Sequence, residues 1–182
     1  MNTINDPTSA RRWRSVPELI DHIVAAHHGY LRLTLPVLDR LVDQIARTKL
    51  IPAGWMDRLA REFTALADLL ETHLAKQECV LFPRIRQLRE PVGETAWACH
   101  MGDSLDELMA RMTRENHDAL ARLGQLETCL ADRAWAGTGP VADQLIEGVR
   151  ELHDNFAEHV HLESAVLFPQ VRELLQGQGL AV

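Results

Sequence analysis

The sequence predicts an all-α protein, an antiparallel up-down four-helix bundle, and three observations carry that prediction. Apolar residues recur at helical spacing through four long stretches. Breaks containing Pro and Gly separate those stretches. No sustained alternation of β-branched residues marks a strand. Four long helices with short connections pack most simply as antiparallel neighbours. The 182 residues suffice for one domain with a sizeable core. A content of 46% hydrophobic and 25% charged residues is ordinary for a globular chain.

Residues 1–14 are polar and read as a flexible arm without an apolar leader, so a cytoplasmic location is expected. The first helix is announced by Ser15-Val16-Pro17-Glu18, which joins a capping box to a Pro near the first helical position. Its stripe is Ile20, Ile23, Val24, Leu31, Leu38, Leu41 and Ile45, and Pro36 within it is expected to kink or split the helix. Ile51-Pro52-Ala53-Gly54 breaks the chain. The second helix is expected over about 55–89, with Leu59, Phe63, Leu66, Leu69, Leu70, Val80 and Leu81 as its stripe. Pro83 is expected to kink its last turns, and Pro91-Val92-Gly93 to end it. After a less regular stretch around 97–102, a second capping box, Ser104-Leu105-Asp106-Glu107, opens a third helix that runs to about Ala131. Gly137-Thr138-Gly139-Pro140 is the next break. The fourth helix covers about 141–176 and is stopped by Gly177 and Gly179. The bundle is thus expected over 15–176, with 177–182 as a tail.

Some functions are disfavoured at once. A net charge of −7 with dispersed Lys and Arg lacks the basic stripe that grips nucleic acid. No apolar run reaches the length of a membrane span. Cys79, Cys99 and Cys129 stand singly, which fits a reducing compartment better than a disulfide framework. Cys79 is expected to be a small buried hydrophobe.

Two stretches repeat one pattern. His73-x3-Gln77-x3-Leu81-Phe82-Pro83 is matched by His159-x3-Glu163-x3-Leu167-Phe168-Pro169. Residues four apart on a helix lie about one turn apart on the same side, so each copy projects an imidazole together with an amide or carboxylate. On the fourth helix Glu163 falls about 40° from His159, inside the stripe of Leu145, Leu152, Phe156, Val166 and Leu174. A carboxylate there is buried, and a buried charge needs a partner or a metal. Gln77 occupies the same place beside His73, whereas Glu78 falls off the stripe. On the first helix His27 lies near the centre of the apolar face and His28 flanks it; periodicity leaves the choice between them open. His117 flanks the third stripe of Leu105, Met112, Leu120, Leu123 and Leu130. His22, His100, His153 and His161 read as surface or core residues without a metal role. Each half of the chain therefore offers a helix with one His followed by a helix with the pair, as two similar hairpins facing each other. Imidazole and carboxylate together suit iron, zinc or manganese.

The chain resembles the hemerythrin-like (HHE cation-binding) domain, in particular the C-terminal di-iron domain of the repair-of-iron-centres family. The residues that carry the resemblance run from Trp13 to Ile23 and from His27-His28 to Leu35-Pro36. To these add both Leu-Phe-Pro motifs with their preceding His, and Glu115-Asn116-His117-Asp118. The resemblance implies a non-haem di-iron centre with two bridging carboxylates. Carried over by position, the ligands are His28 rather than His27, then His73, His117, His159 and the bridging Glu163. It further implies a role in nitrosative and oxidative stress: repairing iron–sulfur clusters, delivering iron, or binding NO or O2. An iron–sulfur client protein is then a partner. Gln77 stands where the second bridging carboxylate belongs, and Lys49 where the family has a further His. The paired-cysteine N-terminal domain of many members is not expected here. Four His and one Glu suffice for one metal ion or an asymmetric pair. Two alternatives accompany this reading: a metal-free bundle acting as a protein-interaction module, and a di-iron oxidoreductase acting on NO or peroxide.

Overall fold

The computed structural model describes residues 13, 15–88, 104–131 and 139–177, which form four helices. Helix α1 comprises Val16–His22, a π-helical turn Ile23–His28, and Gly29–Thr48. Helix α2 comprises Ala53–Lys76, a π-helical turn Gln77–Leu81, and Phe82–Gln87. Helix α3 is Leu105–Leu130. Helix α4 comprises Pro140–His161, a π-helical turn Leu162–Leu167, and Phe168–Gly177. Helices α1 and α3 each pack against both α2 and α4, giving the expected all-α four-helix bundle. The arm expected before Trp13, the breaks at 91–93 and 137–138, the stretch at 97–102 with Cys99 and His100, and the tail beyond Gly177 lie outside the described residues.

The helix starts follow the sequence signals. Ser15 Oγ accepts the Glu18 N–H at 3.3 Å. At α3 the capping box is complete: Glu107 N–H donates to Ser104 Oγ at 3.2 Å, and Ser104 N–H donates to Glu107 Oε2 at 2.6 Å. Each closes backbone donors that the first helical turn leaves without partners.

Pro36 does not split α1, which is helical through it from Gly29 to Thr48. Pro36 and Arg32 are both exposed, so the carbonyl that loses its donor lies on the solvent side, where the loss is mild. The irregularities sit instead at the three π turns. A π turn closes i→i−5 hydrogen bonds, here Gly29 N–H to the Val24 carbonyl, Phe82 N–H to Gln77 and Phe168 N–H to Glu163. It takes in one extra residue, so two consecutive side chains can face the same side. Pro83 and Pro169 stand two residues beyond the last residue of two of the turns. Neither has an N–H to offer the Cys79 or Ala165 carbonyl, so leaving the α register costs little there.

The turns also shift the phase of the stripe. Val80, expected in the core, is 43% exposed, while Leu81 and Phe82 are both buried. Cys79, expected to be buried, is exposed. Among the described residues no helix is long and apolar enough to cross a membrane.

The core falls into two parts. A larger cluster joins Leu31–Ile51 positions of α1 and its turn to Phe63, Leu70, Leu123 and Phe156. A smaller one joins Leu19, Ile23, Phe82, Met109, Leu167 and Phe168 at the other end. A layer of buried polar side chains separates them: His27, His28, His73, Gln77, Asn116, His159 and Glu163.

Candidate metal centre

Three helices deliver this layer through their π turns, and α3 delivers it by plain α periodicity. In α1 the extra residue brings both His27 and His28 inside, at 2% and 0% exposure. That is why periodicity alone leaves the choice between them open. In α2 and α4 the i,i+4 pairs His73/Gln77 and His159/Glu163 end at the start of the turn, and all four are buried.

The donor atoms of His73, His159 and Glu163 lie within 4.8 Å of one another. Glu163 is fully buried; its Oε1 accepts from Gln77 Nε2 at 2.6 Å and its Oε2 from Asn116 Nδ2 at 2.7 Å. His159 Nε2 stands 3.3 Å from Oε2. His28 stacks on His159 with ring centroids 5.1 Å apart, and on Phe82 at 5.7 Å. The His73 ring lies 6.0 Å from that of His159, with Phe156 against both.

Outside the layer, His28 Nδ1–H donates to Glu78 Oε1 at 2.7 Å, and Arg32 Nη2 donates to Glu78 Oε2 at 2.9 Å. His73 Nδ1–H donates to Glu115 Oε2 at 3.2 Å, and Lys76 Nζ donates to Glu115 Oε1 at 2.6 Å. Ionised carboxylates only accept, so both imidazoles carry their proton on Nδ1. Burial pushes the His28 pKa down to about 4 and lowers those of His73 and His27 as well. Burial opposes ionisation of Glu163, but His159, His73 and the Asn116 amide outweigh it and hold its pKa below the usual carboxylate value. The lowered pKa values of His27, His28, His73 and Glu163 each favour the protonation state that metal binding requires of that group.

A direct sign of fit comes from atoms without partners. Nε2 of His27, His28 and His73, both ring nitrogens of His159, and the amide oxygens of Gln77 and Asn116 are buried with no hydrogen-bond partner. Such groups each cost about 1–3 kcal/mol unless something binds them. Imidazole nitrogen and carboxylate oxygen are a donor set for a first-row transition metal, and the residues fit one.

Of the expected ligands, His73, His159 and Glu163 come together and His28 lies alongside. His27 is buried in the same layer, its Nδ1 donating to Asn155 Oδ1 at 3.3 Å. Gln77 enters the layer, but its amide donates to Glu163. Glu78 stays outside it, on Nδ1 of His28. His117 is exposed and does not reach the layer. The straight run of α3 turns about 100° per residue, and Met109, Met112, Asn116, Ala119 and Leu123 hold the inward register, so Asn116 takes the place. That register was legible from Met112 and Leu123. Lys49 is also outside: it is exposed and caps α1 with φ 55°. The orienting role of Glu115, Arg32 and Lys76 is not legible in the sequence, because it depends on which helices adjoin.

Comparison with known proteins agrees with this picture. The sequence profile described as the hemerythrin HHE cation binding domain matches residues 19–171. The iron-sulfur cluster repair protein YtfE of Edwardsiella ictaluri is 32% identical over 168 residues, covering 90% of this chain and 70% of the relative. That of Dickeya chrysanthemi is 28% identical over 167 residues with the same coverage. The Enterobacter sp. protein of that name is 31% identical over 166 residues, 87% of this chain and 68% of the relative.

Proposed function

The chain belongs to the hemerythrin HHE cation-binding family, and from that premise we propose that it binds iron through His28, His73, His159 and Glu163 in the service of iron–sulfur cluster repair under nitrosative or oxidative stress. The observation that carries the proposal is the compact buried group of His73, His159 and Glu163, into which imidazole nitrogens without partners point their binding capacity. The repair role comes from the relatives, which bear that name. Bound iron would supply a one-electron couple and a site for small diatomic ligands such as NO or O2.

The donor set favours one iron over two. Among the described residues only Glu163 brings a buried negative charge to the layer; Gln77 is neutral and His117 is exposed. A second ferrous ion in a low-dielectric core would add positive charge with no carboxylate to balance it. Protein purified without chelators should retain iron on elemental analysis, and anaerobic ferrous titration should saturate at one ion per chain. Failure to take up ferrous iron would refute the proposal. Saturation at two would refute the single-ion reading. Mixing the ferrous protein anaerobically with NO then separates gas binding, which yields a stable nitrosyl complex, from turnover of NO as a substrate.

One observation favours the metal-free interaction module: both Glu163 oxygens already accept amide N–H donors. That reading leaves the imidazole nitrogens unsatisfied. It predicts a melting temperature indifferent to both chelator and iron.

A further inference from the structure

Two surface-to-centre chains have the same construction. On α1, His28 and Arg32 stand one turn apart, and Glu78 of α2 bonds both, at 2.7 and 2.9 Å. On α2, His73 and Lys76 stand nearly one turn apart, and Glu115 of α3 bonds both, at 3.2 and 2.6 Å. In each case a carboxylate from the next helix ties a buried imidazole to an exposed cation. The imidazoles are 0% and 1% exposed, the carboxylates 26% and 20%, and the cations 51% and 42%. The far nitrogen of each ring, Nε2, is buried without a partner. His159 has no such outward carboxylate: its Nδ1 is buried without a hydrogen bond, and its Nε2 faces Glu163 Oε2 at 3.3 Å.

We infer that Glu78 and Glu115 are positioning residues for the metal centre, each fixing the tautomer and orientation of one imidazole so that Nε2 is the coordinating atom. The inference rests on the reading of the polar layer as a metal site. A carboxylate on Nδ1–H blocks that nitrogen, stops ring rotation and makes Nε2 a stronger donor. Arg32 and Lys76 hold the carboxylates in turn and keep them from swinging inward. The π turn at Gln77–Leu81 separates the two roles: Gln77 faces the layer and Glu78 faces the back of His28.

The test uses the full chain with Co2+, whose visible spectrum reports ligand geometry, and measures affinity by competition with a chelating indicator. Glu78→Gln and Glu115→Gln should each weaken Co2+ binding roughly tenfold or more while still binding stoichiometrically, and should shift the Co2+ bands. Their metal-free helical content should match that of the wild type. Glu78→Ala and Glu115→Ala should weaken it further. Alanine variants with an unchanged spectrum and affinity within about twofold of the wild type would overturn the inference, since losing an orienting partner costs about 10–100-fold. Loss of stoichiometric binding in Glu78→Gln would also overturn it, by making Glu78 a ligand. If the Glu variants do not fold, Arg32→Met and Lys76→Met, both at exposed ends, should show the same band shift in smaller measure, and no shift overturns it. Wild-type protein that binds neither Co2+ nor Fe2+ refutes the metal centre itself, a result distinct from all of these.

Discussion

At the scale of single residues, the decisive asymmetry is the neutral Gln77 opposite Glu163. In the structure the amide donates to Glu163 Oε1 at 2.6 Å, so it stabilises the carboxylate without charge. Gln77→Glu should therefore do two opposite things. Two buried carboxylates repel each other in the metal-free protein, lowering its melting temperature. The added charge also offsets a second metal ion, so the ferrous stoichiometry should rise towards two on anaerobic titration. His117 gives a second contrast. His117→Ala should leave iron content unchanged because that side chain is exposed, whereas His73→Ala and His159→Ala should each lose iron on elemental analysis. Equal loss from all three would return His117 to the ligand set.

Among elements, the sequence announced the four helices and both caps, because periodicity and capping act within one helix. His73, Gln77, His159 and Glu163 were likewise legible, each pair lying four residues apart on one apolar stripe. The differences on the first two helices trace to the π turns. Constant 100° steps cannot represent a π turn, so they place Val80 inside where it lies outside and leave His27 and His28 unseparated; Cys79, read as buried from its residue type alone, is exposed. The third helix erred differently: Asn116, buried at 1% exposure, has no charge to draw the eye beside His117. Helix α3 also permits a simple stability test. A Cβ added at Gly124 would meet nothing within 4 Å, so Gly124→Ala should stabilise by about 0.5–1 kcal/mol on helix propensity alone. At Gly148 of α4 a Cβ would come within 2.5 Å of Leu38 Cδ2, so Gly148→Ala should lose that gain to overpacking. Chemical denaturation of both variants checks the pair.

For the molecule as a whole, the proposed metal and protons would act on the same layer. Iron binds the folded state, so adding it at about 100 times its Kd should raise stability by about 2.7 kcal/mol, seen as a higher melting temperature that a chelator reverses. The chelator-treated protein should also lose stability in acid. Burial lowers the pKa values of His27, His28 and His73 from 6.5, that of His28 to about 4. Below pH 6.5 the unfolded chain therefore takes up protons that the folded one refuses, and stability falls between pH 6.5 and 4. Glu163, Glu78 and Glu115, whose pKa values are held below 4.5, extend the loss to lower pH. Thermal melts across that range check the sign: a flat profile would mean that these imidazoles are accessible to protons in the fold.

The division of the core into two apolar clusters by a polar sheet of side chains has a consequence for cooperativity. The end containing Leu19, Phe82, Met109 and Phe168 meets the rest of the apolar interior across that sheet. Without metal, the polar layer would be a seam of weaker cohesion between two foldons; with metal, the proposed ligands from α1, α2 and α4 would rivet them into one. Native-state hydrogen exchange should accordingly resolve two opening free energies in the chelated protein, the smaller cluster exchanging first, and a single one after iron is restored.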